Sequence, residues 1–395
     1  MPVQHLTANT EFDNIIYSSF FGGIMEFLTE AITLITWKHV VMWIVGGLLI
    51  FLAIKFKIEP SLLLPMGFGA ILVNIPLSNV LTAEGSETAG IIEWMFDIGI
   101  AASEAMPILL FIGIGAMIDF GPLLANPKLF LVGGAAQFGI FMTISVATLC
   151  GFSLNDAASI GIIGAADGPT SIMVAIALNS KYLGAIMVVA YSYMALVPII
   201  QPVVVKAITT KKERLIRMDY TPASTSKLTK ILFPIIVTLV AGLIAPNSLA
   251  LVGFLMFGNL LRECGVVNSL SETAKNNLSN LITLLLGITI AFQMQAENFV
   301  TVQTLMIMGF GLFAFVFDTV AGVMLCKGMN LVSKKKINPM IGAAGISAFP
   351  MAARTVQRLG LEADPTNHLL MHAAGANVSG QIASAIVGGL ILGLI

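Results

Sequence analysis

The sequence predicts an all-α polytopic membrane protein built as an inverted repeat, with two glycine-rich segments that enter the bilayer and turn back. Three observations carry this reading. Of 395 residues, 57% are hydrophobic and 10% charged, with a mean hydropathy of +0.94. A soluble chain could not cover that much apolar surface with so few charges. Second, similar sequence pieces recur in order. FIGIGAMIDFGP (111–122) resembles LLGITIAFQMQA (285–296), and IGAA stands at both 163–166 and 341–344. Third, helix-breaking residues and a carboxylate lie inside apolar sequence, in IIGAADGPTS. Repeats and broken helices of this kind are how many secondary transporters are built.

Along the chain, residues 1–37 read as an interfacial amphipathic segment, because Glu26 and Glu30 interrupt an apolar run at i, i+4 spacing. Apolar runs follow at about 39–54, 60–77, 106–118, 128–152 and 182–209. After the linker at 210–228 come 229–247, 248–262, 279–292, 303–326 and 367–394. Several fall short of the ~20 residues a straight span needs, which predicts broken or re-entrant helices. The first repeat is then 38–209 with a re-entrant segment at 158–180. The second is 229–395 with its counterpart at 337–356.

Charge orients the two segments oppositely. Lys55 and Lys57, KKERLIR (211–217) and SKKKIN (333–338) mark one side, assigned to the cytoplasm by the positive-inside rule. SKKKIN leads into the second segment, whereas acidic SLNDAA (153–158) leads into the first. A full crossing by 158–180 would leave KKER on the wrong side, so a hairpin broken at Asp167-Gly168-Pro169 is expected. Such backbone is tolerated at membrane depth only when buried or lining a water-filled cavity.

Charge and cysteine spacing exclude other classes. A net charge of −1 offers no surface for nucleic acid. Cys150, Cys264 and Cys326 lack CxxC or Cys/His spacing, so neither a disulfide framework nor a metal site is expected. The N-terminus has no basic region leading into a short apolar core, so no cleaved signal is expected.

The candidate functional residues are intramembrane polar groups. Asp167 is the first, since a carboxylate near the bilayer centre costs roughly 2.5–3.5 kcal/mol. It either binds a hard cation such as Na⁺ or H⁺ with the freed backbone carbonyls, or caps the following half-helix. Tyr193 lies in the next span. Asp318, in FAFVFDTVAGV, is a second intramembrane acid, with helix–helix hydrogen bonding as its plainer reading. NPMIGAAGISAFPMAAR (338–354) gathers Asn338, Ser347 and Arg354, the last a candidate carboxylate anchor or a snorkelling residue. HAAGANVSGQIAS (372–384) adds Asn377 and Ser384 among small residues that also suit close helix packing.

IIGAADGPTSI, a tyrosine 26 residues beyond its aspartate, NPMIGAAGISAFPMAAR and GANVSGQIASA resemble the β subunits of sodium-translocating biotin-dependent decarboxylases. EPSLLLPMGFGAILVNIP (59–76) does so too, and the likeness extends from about residue 40 to the end. The resemblance implies a membrane subunit that decarboxylates carboxybiotin, exports Na⁺ and consumes a proton. It implies functional roles for Asp167, Tyr193, Asn338, Gly342, Ser347, Arg354 and Asn377. In this expectation Asp167, Asn377 and Ser347 hold Na⁺, Arg354 attracts the carboxylate and Tyr193 delivers the proton. It also implies biotin borne by a partner, carboxyltransferase and biotin-carrier subunits, a small γ/δ-type membrane subunit, a homo-oligomer, and the cytoplasmic membrane of a bacterium or archaeon. The rival readings are a Na⁺- or H⁺-coupled secondary carboxylate transporter and a purely structural membrane anchor.

Overall fold

The computed structural model describes residues 30–57, 59–83, 88–102, 104–218 and 225–395. Most of the expected interfacial segment at 1–37, including Glu26, lies outside the described residues. Among those described there are only helices, turns and loops, and seven helices are long and apolar enough to cross a membrane.

The first run of elements is α1 (Trp37–Phe56), α2 (Pro60–Val73), the bent pair α3 (Ile91–Ala101) and α4 (Ala105–Met117), and the broken span α5 (Leu129–Ala135) and α6 (Phe138–Leu149). A hairpin follows, α7 (Leu154–Gly161) and α8 (Gly168–Ala177), then the span α9 (Leu183–Ile208). After the linker come α10 (Lys227–Ile244), α11 (Leu249–Cys264), α12 (Asn268–Met294) and α13 (Val302–Val332). A second hairpin, α14 (Met340–Ala343) and α15 (Met351–Ala363), precedes α16 (Leu370–Leu394). The same order of elements thus occurs twice. In both runs the third crossing carries a π-helical turn, at Asp97–Ala101 and at Thr273–Leu278.

Two boundaries differ from expectation for physical reasons. The run expected at 279–292 begins at Asn268, because LSETAKNNLS continues the helix with a polar face. The run expected as continuous over 128–152 breaks at Ala136-Gln137, after a Gly-Gly pair that gives little support to the turn.

Each hairpin is clasped at its base. In the first, Asn155 Nδ2 donates to Leu178 O at 3.1 Å, and Ser180 Oγ donates to Asp156 at 2.8 Å. Entry and exit therefore lie on the same side. In the second, Asn338 at the entry donates to Arg214 O (3.0 Å) and Ile216 O (2.8 Å). Asn367, beyond the exit, donates to the same two carbonyls at 3.2 Å each. This clasp lies on the lysine-rich side, and the first lies on the opposite side.

The second clasp is reinforced by Arg217–Asp364 at 2.6 Å and Lys206–Glu362 at 2.8 Å. The Thr366 amide and hydroxyl, then the Arg217 guanidinium, hold the Asp364 carboxyl below its ordinary value. A depressed carboxylate contributes stability above its unfolded value of ~3.9 and loses it as pH falls through the lower folded value. Hydrogen exchange over 214–218 is thus expected to be slow at neutral pH and to lose protection in acid, relative to the intrinsic rate. In Asp364→Asn that protection is expected to be weak at both pH values.

Burial separates inner from outer helices. In the apolar windows of α1 and α10, the first helix of each run, 22% and 11% of residues are buried, against 61% in α16. Val40, Ile44, Leu48 and Phe51 on α1, and Leu232, Ile236, Leu239 and Leu243 on α10, point outward at helical spacing. The outer faces of these helices are left uncovered by the chain's own packing and suit contact with lipid, and α16 runs through the centre beside both hairpins.

Candidate functional site

At the tip of the first hairpin, a short 3₁₀ turn over Ile162–Ala165 ends at Ala166, whose φ of 52° is left-handed. A non-glycine residue in that region stores strain that its surroundings must hold. The strained residue releases the chain into extended Asp167, the N-cap of α8, and Pro169 starts the new helix where no amide is needed. Asp167 is therefore aimed by the break.

Asp167 is 3% exposed, and its carboxylate has polar surroundings. One oxygen accepts from Thr170 Oγ1 at 2.7 Å, Ser384 Oγ at 2.9 Å and Gln381 Nε2 at 3.2 Å. Thr170 comes from the same hairpin, while Gln381 and Ser384 come from α16. Hydroxyls can donate to a carboxylate or turn their lone pairs toward a cation. The set suits a small hard cation. Asn377, one turn before Gln381, reaches Ile346 O with Nδ2 at 2.7 Å, and its buried Oδ1 has no protein partner.

The two hairpin tips touch. Ser347 N donates to Ala165 O at 2.9 Å, and Ser347 Oγ donates to Gly380 O at 3.0 Å. Both IGAA repeats stand at these tips, so the recurring tetrapeptide marks the place where the two breaks meet.

A cavity of about 300 Å³ reaches Asp167. Its wall includes Tyr191, Ser347 and Gln381 in depth, then Thr283, Asn280 and Asn276 along α12 at i, i+3 and i+4 steps. Lys275 and Glu59 also line it, Glu59 lying just beyond the Lys55/Lys57 end of α1. The cavity thus opens toward the lysine-rich side. Burial pushes the Glu59 carboxyl above its ordinary value, while the Arg354 guanidinium pulls it down. A second cavity, of about 530 Å³, lies on the opposite side and is lined by Asn155, Met173, Asn179 and Asn247.

Set against these positions, the sequence expectations divide. Asp167, Ser347, Asn377 and Ser384 gather at or beside the hairpin tips. Tyr193 does not reach the cavity. Its hydroxyl donates to Met308 O and its ring packs against Ile163 and Gly311. Tyr191 faces Asp167 instead, since two residues on a helix turn about 200° and so point to opposite faces. A Cβ on Gly168 would stand 2.4 Å from the Tyr191 ring, and the buried Tyr191 hydroxyl has no partner. Asn338 is part of the clasp, because both its amide hydrogens are spent on the linker. Gly342 is a contact between backbones: a Cβ there would lie 2.1 Å from Gly322 O. Arg354 is exposed and outside the cavity wall, within electrostatic reach of Glu59 at its mouth. Asp318 is buried in the middle of α13, outside that wall.

Gln381, Tyr191 and the α12 stripe, which the structure adds to this neighbourhood, are not among the residues the sequence singles out. Asn377, Gln381 and Ser384 stand at i, i+4 and i+7, a polar face that spacing alone could have exposed. The tyrosine pair yields a crossed expectation. Tyr193→Phe loses a hydrogen bond and about 1 kcal/mol of stability, with little effect on turnover. Tyr191→Phe removes an unpaired buried hydroxyl, so thermal stability holds or rises while turnover falls. Thermal unfolding and turnover measured on both variants check this, and the reverse pattern would reject the placement.

A helical bundle whose interior holds a carboxylate at one hairpin break, touching a second hairpin from the other face, fits an ion-translocating membrane protein. Comparison with known families and proteins makes the class specific. The family described as the Na⁺-transporting oxaloacetate decarboxylase beta subunit matches residues 38–395, and this chain belongs to it. It is 48% identical over 378 residues to the methylmalonyl-CoA decarboxylase subunit beta of Propionigenium modestum, covering 90% of this chain and 94% of that one. To the glutaconyl-CoA decarboxylase subunit beta of Acidaminococcus fermentans it is 46% identical over 361 residues, with 91% and 94% covered. To the oxaloacetate decarboxylase beta chain 2 of Salmonella typhi it is 43% identical over 408 residues, with 89% and 94% covered. These relatives favour the decarboxylase subunit over the secondary transporter.

Proposed function

We propose that the chain decarboxylates carboxybiotin presented by a partner subunit and uses that step to move Na⁺ past Asp167. The observation that carries this reading is the cavity that runs from the lysine-rich side to the Asp167 carboxylate. By the positive-inside rule that surface is cytoplasmic, the side from which a soluble biotin carrier would arrive. The partners of this reading are a biotin-carrier and a carboxyltransferase subunit, a small membrane subunit, and further copies of this chain.

The reacting group supplies one bond cleavage: CO₂ leaves, and the ureido nitrogen keeps the electron pair and takes a proton. The chain's contribution is placement. Lys275 at the mouth supplies a positive charge for an incoming carboxylate, with Arg354 beside Glu59 at the rim. Asn276, Asn280 and Thr283 offer donors and acceptors along the descent. Tyr191 presents a hydroxyl free to give or pass a proton in the depth, a duty that falls to it rather than to Tyr193. Asp167, Thr170, Gln381 and Ser384 form the oxygen-rich seat for Na⁺, with Ser347 and Asn377 behind it. A bound cation neutralises Asp167, which lowers the cost of exposing the site to the other side. Moving one charge against 100 mV requires about 2.3 kcal/mol.

The repeat boundaries at 38–209 and 229–395, joined by 210–228, fit this cycle. Each repeat then contributes one hairpin, and the hairpins meet where the ion sits. The acid served by the whole complex is chosen elsewhere, by the carboxyltransferase.

The test is reconstitution into vesicles, with and without a carboxylated biotin carrier, following radioactive sodium and released CO₂ together. Sodium flux and CO₂ release are expected to depend jointly on the carrier. Uptake of a carboxylate with no carrier present would reject the proposal in favour of a transporter.

A further inference from the structure

We infer that Asp318 forms a second monovalent-cation site, separate from the one at Asp167. This deepens the sodium reading above and rests on it. Asp318 is fully buried on α13, the helix against which the IGAA turn of the first hairpin packs. One carboxylate oxygen accepts from the Gly139 amide. Gly139 is the second residue of α6, so this amide is one that the helix itself leaves unpaired. That bond explains half of the carboxylate.

The other oxygen is buried and has no hydrogen-bond partner, although the Ile140 amide, next to Gly139, also lies close to the carboxylate. This oxygen faces the first hairpin: a Cβ on Gly164 would lie 2.5 Å from it, and a Cβ on Gly139 would lie 2.6 Å from its sister oxygen. The absence of a side chain at these two glycines lets their backbones pack directly against the two oxygens. Thr143, one turn beyond Gly139 on α6, and Thr319, next to Asp318, also carry buried hydroxyl oxygens without partners. A neutral acid would need an acceptor for its proton, and a bare carboxylate would need a counter-charge. A small hard cation supplies the charge and takes oxygen ligands. Gly164 lies three residues before Asp167, so occupancy at Asp318 would act on the same hairpin break that aims Asp167.

The experiment is equilibrium binding of radioactive sodium to the full-length chain in lipid vesicles, comparing wild type, Asp167→Asn, Asp318→Asn and the double variant. Asparagine keeps a carbonyl oxygen for the Gly139 amide, so the helix contact survives while the charge is removed. Two ions per chain are expected in wild type, one in each single variant and none in the double. Wild-type stoichiometry in Asp318→Asn overturns the inference and leaves the Asp167 site standing. No binding to wild type overturns the sodium reading itself. If thermal unfolding reveals that Asp318→Asn is misfolded, the Asp167→Asn chain is treated with a hydrophobic carbodiimide and Asp318 labelling is read by mass spectrometry. Several-fold protection by Na⁺ is expected. Labelling that Na⁺ leaves unchanged, or that is absent altogether, overturns the inference.

Discussion

Asp167→Asn is expected to lower sodium affinity and sodium-driven turnover by on the order of 10²-fold or more, equivalent to about 3 kcal/mol of lost charge-assisted interaction. The cause is local. Thr170, Ser384 and Gln381 all converge on one oxygen of this carboxylate. Asparagine offers those three donors a weaker, uncharged acceptor. A transported cation would then have to sit in the bilayer interior without a balancing charge. Asp167→Glu keeps the charge but drives a longer side chain into the same donors, so an intermediate loss is expected. The measurements are CO₂ release against sodium concentration and sodium flux into vesicles, for both variants. Full coupled transport in Asp167→Asn would remove Asp167 from the ion path and return it to a capping role.

The second large effect concerns Gly342, which the resemblance placed among functional residues. Gly342→Ala is expected to cost about 3 kcal/mol or more, at the upper end of what overpacking imposes. A methyl group there meets Gly322 O at 2.1 Å and Gly322 C at 2.3 Å, and backbone cannot yield as a side chain can. The reciprocal change, Gly322→Ala, meets Gly342 O at 2.1 Å and is expected to be equally damaging. Because both press on one contact, the double variant is expected to cost much less than the sum. Thermal unfolding of the two single variants and the double checks this. If Gly342→Ala folds with wild-type stability and loses only its sodium response, the packing explanation fails.

What was legible in the sequence follows from which physical signals are local. Apolar content and run length disclosed a helical membrane protein. The carboxylate beside Gly168-Pro169 disclosed a break, because chain stiffness and backbone hydrogen bonding are decided within a few residues. The IGAA repeats lay at the two tips that meet. What stayed hidden depends on which way a helix faces. Tyr191 and Tyr193 are two residues apart and chemically identical, and only the packing of α9 against the hairpin and α13 distinguishes them. The part of Asn338 in the clasp stayed hidden because its partners are carbonyls of the distant linker, at Arg214 and Ile216. Gln381 escaped notice in a stretch where small residues already had a packing explanation. Lys275 and Asn276 precede the apolar run of α12, and only the fold reveals that this polar turn continues the helix and lines the cavity.

The bond between Ser347 N and Ala165 O has an electrical consequence. Hairpins reaching inward from opposite faces, with a cavity on either side, place the protein barrier between those cavities around the joined tips; if water fills both cavities, that barrier is what stays dry. Voltage falls mainly across what stays dry, so the membrane field is then concentrated on that barrier. An ion passing the seam would do most of its work against the membrane potential over a short step. A small local displacement could then deliver nearly the full electrical stroke, with no need to carry the cargo across the whole bilayer.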